Sequence, residues 1–306
     1  MQKIVPHLWF DKEAKEAAEF YVSVFPNSKI TAVVPLHDSR TEAEGGVGDS
    51  EFVNFNLNGY EFMAISAGPY FKVNPSISFF VNFDPSRDDH AKENLDAMWA
   101  KLSEGGEALM PLQEYPFSKH YGWIQDKFGV TWQLMLTNPD GEERPFIIPS
   151  LMFIKENVGK AEEAINFYTS IFKNSKIGML SKYPAGMDPD KEGTLMFGDF
   201  MLDGEWLAAM DSAQDHKFQF TEAISLLVKC ENQEEIDHYW KLSAVPESEQ
   251  CGWLKDKYGV SWQISPEEMT DMLTNSTPEQ KQRVTQAFLQ MKKFDLAALK
   301  RAYEGS

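Results

Sequence analysis

One feature constrains the chain before any local reading: most of it is written twice. Residues 20–30 (FYVSVFPNSKI) return as residues 167–177 (FYTSIFKNSKI), and residues 122–133 (GWIQDKFGVTWQ) return as residues 252–263 (GWLKDKYGVSWQ). The blocks keep their order and rough spacing, so the chain is a tandem duplication, and a repeat of that length sets the architecture. At 306 residues it has room for two domains of ordinary size.

Each repeat opens on a short apolar strand, His7-Leu8-Trp9-Phe10 or Leu151-Met152-Phe153. Ala14, Ala17, Ala18, Tyr21, Val24 and Phe25 then follow at helical spacing, as do Ala161, Ala164, Ile165, Tyr168 and Phe172. Asn27-Ser28 and Asn174-Ser175 end those helices. Residues 51–57 alternate with period two, Asn58-Gly59 supplies a hairpin turn, and residues 61–66 return; 194–202, Asp203-Gly204 and 205–210 repeat this. The pattern restarts at strands 77–83 and 224–228, continues through helices 91–102 and 236–242, and ends in strands at Trp132-Gln133-Leu134 and Trp262-Gln263-Ile264. The expectation is an α+β protein of four βαβββ modules, two per domain. The polar, turn-rich stretch 138–145 reads as the linker, which gives domains at 1–145 and 146–275 and a helical tail at 276–306. Thr277-Pro278-Glu279 reads as an N-cap with proline at the first helical position, followed by one apolar stripe from Val284 to Leu299.

Composition narrows the function classes. A net charge of −18 opposes nucleic-acid or anionic-membrane partners, whose phosphates call for Lys and Arg. The two cysteines, Cys230 and Cys251, make a disulfide framework an unsuitable reading and favour a reducing compartment. With no signal-like apolar block at the start and no run of the roughly 20 residues a membrane helix needs, the expectation is a cytoplasmic protein.

The paired modules, with 6–10 (PHLWF), Phe20-Tyr21, 126–132 (DKFGVTW) and 290–295 (QMKKFD), resemble the vicinal-oxygen-chelate (glyoxalase/bleomycin-resistance) superfamily, and more closely its PhnB-like branch. The resemblance implies sheets that curl into cups, used by metal-dependent isomerases, lyases and dioxygenases or by metal-free drug binders. Fold alone does not choose among these. It also implies an internal pair acting as the pseudo-dimer that shorter relatives make from two chains; a homodimer of the whole chain is compatible with it. Branch members often carry a demethylubiquinone methyltransferase label. A Rossmann-type methyltransferase needs a Gly-rich turn after its first strand, and the only dense cluster, Gly45-Gly46-Val47-Gly48, lies in a polar loop that reads as a turn.

Metal-dependent members place the last ligand four residues after the Gly of the Asp-x-x-Gly turn, which here falls on Gln133 and Gln263. The resemblance puts the second-module ligand at Ser78 and Ser225, and the first-strand ligand at His7, or at Val5 with a two-residue shift, with Ser150 as the counterpart of His7. The expected sets are therefore His7, Ser78 and Gln133, against Ser150, Ser225 and Gln263. Serine hydroxyls seldom hold Zn²⁺ or Fe²⁺, so the residues call for no cofactor, and a divalent metal on His7 and Gln133 is the alternative. Trp9, Phe80, Tyr121 and Trp123 in the first cup, and Phe197 and Trp253 in the second, complete an apolar lining of the kind small molecules use. His37, His90, His120, His216 and His238 read as surface residues, His120 beside a cup rim, and Asp211 as a turn cap. The leading expectation is a small-molecule binder; the alternatives are a metal-dependent lyase, isomerase or dioxygenase and a scaffold whose cups are filled by side chains.

Overall fold

The computed structural model describes residues 2–37 and 49–305. The 45–48 glycine cluster and the side chain of His37 lie outside what is described. In chain order, the first module holds β1 (Ile4–Phe10), α1 (Ala14–Val24), β2 (Lys29–His37), β3 (Asp49–Leu57) and β4 (Tyr60–Ser66). The second holds β5 (Ile77–Phe83), α2 (Ala91–Leu102), β6 (Glu107–Tyr115), β7 (Ser118–Gln125) and β8 (Thr131–Leu136). The third holds β9 (Ile147–Phe153), α3 (Ala161–Ile171), β10 (Lys176–Lys182), β11 (Leu195–Leu202) and β12 (Glu205–Asp211). The fourth holds β13 (Ile224–Cys230), α4 (Gln233–Tyr239), β14 (Trp253–Lys255) and β15 (Ser261–Pro266), and the tail adds α5 (Glu268–Thr274), α6 (Pro278–Phe288) and α7 (Leu296–Glu304).

Local chemistry explains these elements. The apolar positions that recur along α1 and α3, from Ala14 to Phe25 and from Ala161 to Phe172, are all buried. Asn58 and Gly59, and Asp203 and Gly204, adopt φ of 49°, 89°, 49° and 90°, the left-handed pairs that a two-residue hairpin requires. The first strand of each early module, β1, β5 and β9, is buried at every position, because helices cover one face and inner side chains fill the other.

The modules pair in an order that the repeat does not announce. One sheet runs β14-β15-β13-β1-β4-β3-β2, the other β10-β11-β12-β9-β5-β8-β7-β6. Antiparallel contacts join β1 to β13 and β5 to β9, so each sheet takes one module from each repeat. Unit 1 accordingly comprises the chain up to Val22, Asn27–Lys72 and everything from Phe220 on; unit 2 comprises Ser23–Pro26 and Val73–Gln219. The compact units do not follow the repeat boundary at 145 and 146: the 138–145 stretch joins β8 to β9 inside unit 2, and the chain changes unit after Lys72 and after Gln219. The physical reason is that every module offers the same kind of strand edge. A module edge can be satisfied equally by its neighbour in sequence or by its counterpart in the other repeat, and exchange of like elements costs little.

Two further expectations change. The fourth module has only β14 and β15 after its helix; where β6 stands in the second module it makes a short 3₁₀ turn at Pro246–Ser248. The tail is three helices, the first beginning at Glu268 just past Ser265-Pro266, and the apolar stripe is divided between the last two. Thr277 does cap α6, with a capping box to Gln280 and Pro278 in the first turn. The stripe breaks after α6 because the Met291 and Lys292 carbonyls accept from Cys251 N and Gly252 N, both at 2.7 Å, and Asp295 then caps α7.

Candidate functional site

The repeated Asp-Lys-aromatic-Gly-Val-x-Trp-Gln motif has a structural half and a site half. Asp126 accepts from Phe128 N (2.8 Å), Val130 N (3.2 Å) and Trp132 Nε1 (2.8 Å). Asp256 accepts from Tyr258 N (2.8 Å), Val260 N (3.0 Å) and Trp262 Nε1 (2.9 Å). Each carboxylate thus locks a turn and the indole that fills the core beyond it. The glutamine that follows the Trp points to the opposite face, since side chains alternate along a strand.

In unit 1 the inner face carries a row fixed by register. Asn54 lies opposite Met63, Met63 opposite His7, and His7 opposite Ser225. Gln263 Nε2 donates to Ser225 Oγ at 2.9 Å, and Gln263 lies opposite Trp253. His7 is fully buried, and neither ring nitrogen has a hydrogen-bond partner among the described residues. Burial pushes its pKa down to about 3, so the ring is neutral. Its neighbours are aromatic: Trp253 edge-on at 5.6 Å and Phe52 at 5.9 Å. Trp9 packs on Phe71 at 5.0 Å and donates from Nε1 to Gly68 O at 2.8 Å. Beside this row lies a cavity of about 130 Å³. The sheet contributes Phe52, Asn54, Leu227, Trp253 and Gln263 to its wall, and the tail contributes Met269, Leu273, Phe288 and Phe294.

Unit 2 builds the same row from other residues. Asp199 lies opposite Ala208, Ala208 opposite Ser150, and Ser150 opposite Ser78. Gln133 Nε2 donates to Ser78 Oγ at 2.7 Å, and Tyr121 Oη donates to Gln133 Oε1 at 2.6 Å. Burial raises the Tyr121 pKa far above the ordinary phenol range, which keeps it a proton donor. Around this chain Phe80, Trp123, Ile148, Met152 and Trp206 close into one buried cluster. Arg144, from the β8–β9 connection, lies over the Trp206 ring at 3.8 Å and donates to Asp199 Oδ2 at 2.7 Å.

The expected residue sets are therefore re-sorted. His7 shares a row with Ser225 and Gln263; Ser150 shares one with Ser78 and Gln133. His7 and Gln133 belong to different sheets, each within its own row. His7, and not Val5, is the residue set opposite Ser225, which fixes the register of the first strand. Neither row fits a transition metal: one supplies a single imidazole with neutral oxygens, the other hydroxyls, an amide and one carboxylate, Asp199, already bound by Arg144. Among the described residues no cluster of three His, Cys, Asp or Glu side chains could hold a metal ion. His120 turns away from the inner face to Asp96 of α2, at 2.5 Å. Asp211 accepts from Gly159 N, Ala161 N and Leu195 N, the capping role expected of it.

The sequence reading missed Asn54, Asp199 and Arg144, as well as the tail residues of the cavity. A signal for the first two was present. The duplicated strands read Phe52-Val53-Asn54-Phe55 and Phe197-Gly198-Asp199-Phe200, each placing a short polar side chain at an inward position. Arg144 and the tail had no such signal, because their contacts come from distant parts of the chain.

The family model described as 3-demethylubiquinone-9 3-methyltransferase matches residues 2–135 and again 145–265. A solved structure described as a 3-demethylubiquinone-9 3-methyltransferase, PhnB protein, from Bacillus cereus is 37% identical, covering 44% of this chain and 100% of its own, with a TM-score of 0.38. A Pseudomonas aeruginosa protein is 23% identical, covering 45% of this chain and 98% of its own, with a TM-score of 0.37. A glyoxalase I variant from Zea mays is 13% identical, covers 88% of this chain and 97% of its own, and has a TM-score of 0.50, a likeness of fold. No curated protein matches the chain. With both repeats matched over most of their length, the chain belongs to the 3-demethylubiquinone-9 3-methyltransferase (PhnB-like) family, in two tandem copies on a vicinal-oxygen-chelate fold.

Proposed function

We propose that the protein is a small-molecule binder of the glyoxalase/bleomycin-resistance type whose ligand occupies the unit 1 cavity. The observation that carries this reading is the cavity itself: an apolar, aromatic wall with a few convergent polar groups is what small-molecule sites have in common. The inner face of unit 2, filled by Phe80, Tyr121, Trp123 and Trp206, serves as structure in this reading. The wording of the family description does not decide the chemistry. After β1 the chain turns through Asp11-Lys12-Glu13, which is no glycine-rich cradle for a methyl donor.

No reaction step is assigned, because the Ser225 hydroxyl opposite His7 is held by Gln263 and neither His7 ring nitrogen has a hydrogen-bond partner among the described residues. Cytoplasmic residence belongs to the same proposal, and two cysteines outside any disulfide suit it. The test is a fragment library screened by ligand-observed NMR against the full chain and against Phe288→Trp, which fills the cavity. Saturable binders lost in a folded Phe288→Trp protein support the reading. Binders indifferent to that substitution, or none at all, would sink it.

A further inference from the structure

We infer that the unit 1 cavity takes a single-ring aromatic molecule that carries a hydrogen-bond donor and no negative charge. The inference rests on reading that cavity as the ligand site, and it adds the ligand class. Size comes first: about 130 Å³ is close to the roughly 150 Å³ of an apolar cavity that accommodates benzene, so it holds one ring. Phe52, Trp253, Phe288 and Phe294 supply ring faces and edges for it to pack on.

Polarity selects further. Asn54 lines the cavity, and its Oδ1 is buried without a hydrogen-bond partner among the described residues. Gln263 has its Nε2 engaged by Ser225, so its Oε1 is the atom it can offer a ligand. Glu267, an acidic residue, is also on the wall. Lys229, the one cation on the wall among the described residues, is paired with Glu61. An unmet buried acceptor favours a donor, because leaving it unpaired is unfavourable. A carboxylate or phosphate would meet these oxygens, and a chain of net charge −18, with nothing to neutralise it.

The test is calorimetric titration of the full chain at neutral pH with phenol, toluene and benzoate. Phenol should bind one to one and about fivefold tighter than toluene, the size of one hydrogen bond. Benzoate should bind at least about tenfold more weakly than phenol. Asn54→Leu should abolish the phenol preference and keep toluene binding; if that variant does not fold, Asn54→Asp, which keeps an acceptor, should retain the preference. Benzoate binding as tight as phenol, or a preference unchanged in Asn54→Leu, would overturn the ligand class. Should none of the three bind while library fragments still bind and are lost in Phe288→Trp, the class is wrong and the site reading stands. If nothing binds, both fall.

Discussion

His7 and Asp256 are both fully buried, and they meet burial in opposite ways. Asp256 is met by three N–H groups that donate to its carboxylate. Asp256→Ala should therefore cost about 3 kcal/mol or more, as three donors lose their acceptor, and Asp256→Asn should cost less; urea denaturation measures both. His7 gives up its charge instead. With its pKa lowered from 6.5 to about 3, the unfolded chain binds a proton in that window and the folded chain does not. Stability contributed by the neutral ring is thus complete above about pH 6.5 and is lost as pH falls toward 3. His7→Leu should flatten this dependence, so the Tm of wild type should drop more between pH 7.5 and pH 5 than that of the variant. Both side chains were legible as residues of interest in the sequence. Their environments were not, because an imidazole surrounded by Phe52 and Trp253 and one facing solvent look alike in a sequence.

At the scale of elements, the helices and hairpins followed their local signals. The apolar spacing of α1 and α3 and the Asn58-Gly59 and Asp203-Gly204 turns each produced the element expected of them. The tail did not, because its break is set by a partner far away in the chain. Gly252, at φ 83°, donates to Lys292 O, and a Cβ there would lie 2.5 Å from Phe294 and 2.9 Å from Ile264 O. Gly252→Ala should destabilise by about 1–3 kcal/mol through this clash, with left-handed strain added. Hydrogen exchange should accelerate in α6 and α7, which the 288–294 segment anchors, while the strands of unit 2 keep their protection. Uniform acceleration across both units would show that the segment is no separate anchor.

For the whole molecule, the decisive fact is which strands meet. Because Val5 lies opposite Leu227 in the β1–β13 pair, Val5→Cys with Leu227→Cys should form an intramolecular disulfide in a Cys230→Ala, Cys251→Ala background. Mass spectrometry of a non-reduced digest reads it, and domains built from contiguous repeats would leave both thiols free. The sequence by itself determined the duplication, the α+β modules, the family and most inward-facing positions. All of these depend on periodicities of two and 3.6 residues and on turn chemistry, which act over short stretches of chain. Only the tertiary structure decided that β1 joins β13 and β5 joins β9, and so that His7 stands with Gln263 rather than with Gln133. Modules of the same pattern present similar edges, so local sequence does little to separate the two pairings; connections and long-range packing make the choice.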